Sequence, residues 1–201
     1  MAISLVEEQG RPRKVKIMVD GEEVKRVSGT IVPLPALQSI LAKDDFFNAL
    51  EQLEYKGALR YALFLLARQS LHSKKLAHSL RRHVLSPTCI ERVLGYCKDN
   101  GWLNDEEWIE QRAKRLQSKG KSRAQVRASF NKDGIQAKDL PFDERAALER
   151  VVARKYPQLL EENCPYPQRM KALQALQRRG FSYETIQQFL QNKKTSMYGE
   201  V

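Results

Sequence analysis

The sequence predicts an all-α fold of tandem three-helix repeats in an elongated curved array, with a small N-terminal β-hairpin extension. Three observations point there. From Asp44 onward apolar residues return at three- and four-residue spacing, the period of a half-buried helix. Two distant stretches, Leu80–Leu94 and Leu176–Leu190, match without a gap at their apolar and capping positions. Alternation of apolar and polar residues is confined to Val15, Ile17 and Val19, just ahead of an Asp20-Gly21 pair. Asp-Gly supplies the positive φ angles of a tight hairpin, so residues 13–27 are expected to form two strands.

The breaks between helices are equally legible. Pro33-Leu34-Pro35 interrupts the chain, and a short helix is expected from Ala36 to about Ala42. Phe47, Leu50 and Leu53 open the next period, which Leu59, Ala62, Leu63 and Leu66 continue across Gly57, a residue that argues against one unbroken helix. Ser73 is the expected N-cap of a helix with Leu76, Ala77 and Leu80 inward. Ser86-Pro87 starts another, with Ile90, Val93, Leu94 and Cys97 on one face and Gly101 at its end. Asn104 or Asp105 caps a helix through Ile109, Ala113 and Leu116 that stops at Gly120. Ser122 then caps one through Val126 and Phe130 that stops at Gly134. A longer helix holds Leu148, Val151 and Val152 and ends at Tyr156-Pro157. Met170, Leu173 and Leu176 lead to a stop at Gly180, and Ser182 caps a last helix through Ile186, Phe189 and Leu190.

Phe130–Ile135 reads as a weaker middle copy of the internal match, losing register beyond Leu140. The copies recur at roughly 46–50 residues, near the period of three-helix repeats. The expected organisation is therefore an extension over 1–54, repeats over 55–103, 104–156 and 157–192, and a tail over 193–201.

Charge is the strongest functional signal. The chain of 201 residues carries a net +11, with 16 Lys and Arg against 7 Asp and Glu in residues 58–137. Such an excess favours a polyanionic partner. No apolar run is long enough to span a membrane, and Met1–Gly10 lacks the pattern of a secretory signal. Cys89, Cys97 and Cys164 are odd in number and widely spaced, which fits a reducing cytoplasm, and Cys89 and Cys97 read as core thiols.

Catalytic chemistry is not indicated. There is no phosphate-binding glycine loop, and His72, His78 and His83 lack partners at metal-ligand spacing. Asp105-Glu106-Glu107 reads as acid placed against the positive end of a helix dipole rather than as a metal cluster. No cofactor and no enzymatic activity are expected. Trp102, Trp108 and Tyr61 are assigned to the core instead of to base stacking.

The basic residues fall in rows. Lys74, His78 and Arg81 stand at i, i+4 and i+7, with Lys75 and Arg82 beside them. Arg112, Arg115 and Lys119 form a second row near Lys114 and Lys121, and Arg123 and Arg127 a third. Each row flanks an apolar stripe, so its cations can stay solvated while the stripe packs.

An ordered set of motifs resembles the RecX family. It comprises Ala62–Arg68, then Ser73–Leu76, Gly101–Trp108 with Leu103 and Asp105, Gly120, Lys132–Ile135 with Gly134, and Arg178-Arg179-Gly180-Phe181-Ser182. No one of these is specific, but their order and spacing are, over about residues 55–192. The resemblance implies a modulator that lies on the RecA filament on single-stranded DNA and inhibits or tunes strand exchange, ATP hydrolysis and co-protease activity. It also adds Arg68, Arg178 and Arg179 to the contact residues, and Ser86 to the family's structural positions. A monomer is expected, with bare DNA as the alternative partner; the rival reading is a stand-alone DNA-binding or architectural protein without a RecA role. The chain departs from the family pattern at Gln69, where a second Arg is common, at Lys75, where Glu is common, and at Asn104, where Asp is usual. Asn caps as well as Asp, so capping is preserved at 104, while the changes at 69 and 75 alter surface charge where the family's contacts are expected.

Overall fold

The computed structural model describes residues 2–8, 10, 13–83, 85–136, 142–161 and 163–198. The chain divides into two compact units, residues 1–105 and 106–201. Among the described residues there are three strands, all near the N-terminus, and nine α-helices.

The first unit opens with β1 (Ile3–Glu8), β2 (Lys14–Val19) and β3 (Glu22–Ser28), an antiparallel sheet in that order. β2 and β3 are the expected hairpin, and Asp20 and Gly21 take φ angles of 50° and 90° at its turn. β1, a strand the sequence reading did not anticipate, adds to the free edge of β2, pairing Ile3 with Val19 through to Glu8 with Lys14. A third strand supplies the stability that a lone hairpin lacks. Val15, Ile17 and Val27 are buried on one face. Register slips near Met18, which pairs with Glu23 while Ile17 pairs with Lys25, so Val24 is the extra residue of a bulge and stays exposed.

The short helix α1 spans Leu34–Gln38, earlier than the expected 36–42. Proline is tolerated in a first turn, where its missing N–H has no acceptor, so Pro35 lies inside this helix instead of preceding it. α2 (Phe46–Arg68) is unbroken through Gly57. Its innermost row is Phe46, Leu50, Glu54, Ala58 and Ala62 at four-residue spacing, so Phe46 is buried and Phe47, expected inward, is exposed. Gly57 is required by packing: a Cβ there would lie 2.0 Å from the Ile31 carbonyl oxygen. Glu54, the one acid in that row, meets the Lys25 ammonium of β3 at 2.5 Å and joins the sheet to the helix. Burial raises the Glu54 carboxyl above its ordinary range, against the pull of Lys25.

α3 (Ser73–Arg81) and α4 (Pro87–Asp99) complete the unit, with α4 packed on both α2 and α3. Leu76, Ala77, Leu80, Ile90, Val93 and Cys97 are inward as expected, and burial raises the Cys89 and Cys97 thiols. Ser86 caps α4 by accepting from the Cys89 N–H. The cap of α3 differs from expectation. His72, not Ser73, is the N-cap, its Nδ1 accepting from the Lys74 N–H at 3.1 Å. Ser73 sits one residue inside the helix and donates its N–H and hydroxyl to the two carboxylate oxygens of Asp105. Asp105, expected to serve the start of its own helix, thus also holds the start of α3. Burial works to raise its carboxyl, but the Ser73 hydrogen bonds, His72 and Lys98 hold it below the ordinary range.

In the second unit α5 (Asp105–Ser118), α6 (Arg123–Lys132), α7 (Glu144–Lys155), a 3-10 turn (Pro157–Leu160), α8 (Tyr166–Arg178) and α9 (Tyr183–Tyr198) follow the expected breaks. Ser122, Asp143 and Ser182 each accept a backbone N–H from the first turn of the helix they precede. Trp108, Val126, Phe130, Leu148, Val152, Leu176, Phe181, Ile186 and Phe189 form its core. α9 extends to Tyr198, into the stretch expected as tail. Leu140, where the middle sequence copy loses register, lies outside the described residues.

Two predictions follow from the first unit. Gly57→Ala should lower stability by about 1–3 kcal/mol in urea unfolding, although an open helical site would gain about 1 kcal/mol from the same change. Burial depresses the His72 and His83 imidazoles below the ordinary value of 6.5; Asp105 opposes this at His72, where neighbouring lysines add to it, and Arg82 adds to it at His83. The neutral forms therefore stabilise the fold: that contribution is complete above 6.5 and is lost as pH falls through the lowered folded values. Urea midpoints should drop between about pH 7 and pH 5, and His72→Asn, which keeps the cap acceptor, should flatten that slope.

Candidate nucleic-acid interface

Helix geometry places the predicted cations in distinct surroundings. On α3, Lys74, His78, Arg81 and Arg82 face solvent, while Lys75 is half-buried. Arg68, in the last turn of α2, lies 5.2 Å from the centroid of the exposed Phe64 ring. These belong to the first unit.

In the second unit, the expected row on α5 is broken. Arg112 turns inward: its guanidinium donates to Asp133 at 2.9 Å and Ser129 at 3.2 Å, over the faces of Trp108 and Phe130. It braces α5 against α6 and is spent on packing, because it stands one turn from the buried Trp108 on the same face. Arg123 is similarly engaged, donating to the Phe142 carbonyl at 2.8 Å over that ring. Lys114 lies 3.7 Å from Glu110 across one exposed turn. Arg115, Lys119, Lys121, Arg127 and Arg178 are exposed and stand outside the ion pairs formed among the described residues.

Three segments of this unit converge on a cleft of about 670 Å³. The loop after α5 brings Lys119 and Lys121, the end of α7 brings Arg150, Arg154 and Lys155, and the turn after α8 brings Arg179. Among the described residues, no Asp or Glu lines it. The three cations of α7 were not singled out in the sequence, where Glu144 and Glu149 on the same helix dilute them. Their spacing of i, i+4 and i+5 at a helix end was the available signal.

The walls are held by close packing. Ser122, fully buried, donates its hydroxyl to the Arg179 carbonyl at 2.7 Å and accepts from the Gln125 N–H at 3.3 Å. Gly180 lies against that hydroxyl, where a Cβ would come within 2.9 Å of it. Gly120, at a φ of +69°, packs so closely on α7 that a Cβ would lie 2.4 Å from Val151. The aromatic assignments divide: Trp108 is buried and Tyr61 packs on the core, but Trp102 is 47% exposed against Tyr96, contrary to the core role expected of it. Among the described residues, no helix is long and apolar enough to cross a membrane, and no group of His, Cys, Asp and Glu could hold a metal ion.

Ser122→Ala should cost about 1–2 kcal/mol, since it removes a helix cap and leaves the Arg179 carbonyl unpaired. Thermal melting measures the loss.

Comparison with known proteins adds three findings. Residues 143–190 match a family model described as RecX, third three-helix domain. The chain is 23% identical over 145 residues to a regulatory protein RecX of Staphylococcus carnosus (strain TM300), covering 69% of this chain and 54% of that protein. The matched stretch thus spans about half the length of that relative. The fold is similar to a crystal structure of a regulatory protein RecX, with a TM-score of 0.59 at 13% identity, over 94% of this chain and 98% of that one. The matched third domain and the curated relative are both similar to RecX proteins, and the solved structure shares the fold.

Proposed function

We propose that this chain regulates the RecA recombinase by lying on the RecA filament on single-stranded DNA, where it tunes ATP hydrolysis and strand exchange. The observation that carries the reading is a set of exposed cations left unanswered by carboxylates among the described residues. Arg81 and Arg82 on α3, Arg115 at the end of α5 and Arg127 on α6 are the clearest. Several cations on reachable surfaces suffice for phosphate contact, whatever their order in the chain. Arg112 is left out of the contact set, because its half-buried guanidinium is paired with Asp133 inside the second unit. Residues 55–103, 104–156 and 157–192 act in this reading as successive repeats. The rival, a stand-alone DNA-binding protein, draws on the same cations and differs in what it prefers to bind.

Adding the purified chain to RecA, single-stranded DNA and ATP should produce a saturable change in ATP turnover and in filament length. The double variant R81E/R82E should need roughly tenfold more protein for the same effect, in line with loss of contacts worth about 1.4 kcal/mol. Unchanged turnover and filament length at every ratio would sink the proposal. Much tighter binding to bare DNA than to RecA-coated DNA would favour the rival.

A further inference from the structure

We infer that the cleft between the α5–α6 loop, the end of α7 and the α8–α9 turn is a sequence-independent seat for adjacent phosphates of a flexible single-stranded nucleic acid. The inference deepens the reading above by naming the polyanion and its place, and rests on that reading only for the nucleoprotein context.

Six cations line the cleft, with no carboxylate among the described residues, and five of the six are exposed. The bland explanation is that they offset helix ends. α5, α7 and α8 do end here, at Ser118, Lys155 and Arg178. Each helix C-terminus carries roughly half a negative charge, so three ends supply about −1.5. Against six cations that leaves most of the positive charge uncompensated. Like charges gathered in a concavity repel one another, and a bound anion relieves the repulsion.

The shape narrows the class of anion. A cleft of about 670 Å³ has the size of a small-ligand site, and a duplex is too stiff to bend into it. A single strand can enter. Among the described residues no aromatic side chain lines the cleft, so bases have nothing there to stack on and the phosphates are what is read. A nucleoside triphosphate fits less well, because the lining offers no carboxylate for its magnesium ion and no aromatic face for its base. The Ser122 bond to the Arg179 carbonyl and the Gly120–Val151 contact hold the charged walls in place, so little ordering is needed on binding.

Fluorescence anisotropy of a labelled oligothymidylate, with RecA absent, tests the inference. The full chain is compared with R150E/R154E and with R145E/K171E, a control of equal charge change whose two residues lie outside the cleft. R150E/R154E should weaken binding more than tenfold and flatten the log–log salt dependence by about 1.4, roughly 0.7 for each lost phosphate contact. The control should change affinity less than threefold. Circular dichroism melting confirms that each variant is folded. Equal losses in the two variants would overturn the inference, since the attraction would then be spread over the surface and not seated in the cleft. Competition by duplex of equal phosphate content as strong as by single strand would overturn the choice of strand; equal competition by tripolyphosphate would overturn the backbone assignment. Because RecA is absent, failure here leaves the RecA reading untouched, and a null result with RecA leaves the cleft untouched.

Discussion

The buried hydroxyl of Ser122 organises the second unit. It caps α6, fastens the loop before that helix to the Arg179 carbonyl, and does both in a space only Gly180 leaves open. A buried hydroxyl must find partners, and Ser122 has both a donor and an acceptor within reach. The consequence is geometric. The segment carrying Lys119 and Lys121 and the turn carrying Arg179 are tied together, and Gly120 brings the same segment against Val151 of α7. Charges far apart in the chain are thereby gathered around one concavity, at a cost in repulsion borne by neutral hydrogen bonding and packing.

The first unit solves a different problem, that of attaching a three-stranded sheet to a helical bundle. One face of the sheet is apolar and shares a core with α2, whose inner row of small and apolar side chains is interrupted by Glu54. Gly57 allows the backbone near Ile31 to approach the helix without an intervening side chain. Lys25 answers the Glu54 carboxylate, and the Ser28 hydroxyl pairs with His83 at 3.0 Å, edge-on to Tyr61. Removing Lys25 would leave the Glu54 carboxyl buried without its partner, whereas Lys25 is partly exposed.

Electrostatics divides the cations into two populations. Arg112 and Arg123 are structural, their planar guanidiniums lying over aromatic rings while donating to neighbouring oxygens, a geometry lysine cannot reproduce. Most of the other predicted cations are exposed, with Lys75 and Arg179 half-buried. The Asp105 carboxylate performs the complementary service in the first unit, accepting from Ser73 at the positive end of α3. Counts of charge along the chain cannot separate these populations, because a cation next to a buried aromatic looks the same in sequence as one facing water.

Much of the fold was legible because its signals are local. The Ser86-Pro87, Ser122 and Ser182 starts, the glycines that end helices at 101, 120, 134 and 180, and the Asp20-Gly21 turn depend on backbone sterics within a few residues. The three- and four-residue periods marked the inward faces for the same reason, except where Phe46 and Phe47 stand side by side and only packing chooses between them. The edge strand β1 escaped notice because pairing with β2 is a relation between segments. Gly57 looked like a break because the Ile31 carbonyl that demands it is distant in sequence. By itself the sequence determined the helical class, the breaks between helices and the positive excess. Tertiary structure alone decided which cations face inward and that Arg150, Arg154 and Lys155 join Lys119, Lys121 and Arg179 around one cleft, since convergence in space is set by packing and leaves no periodic trace in the chain.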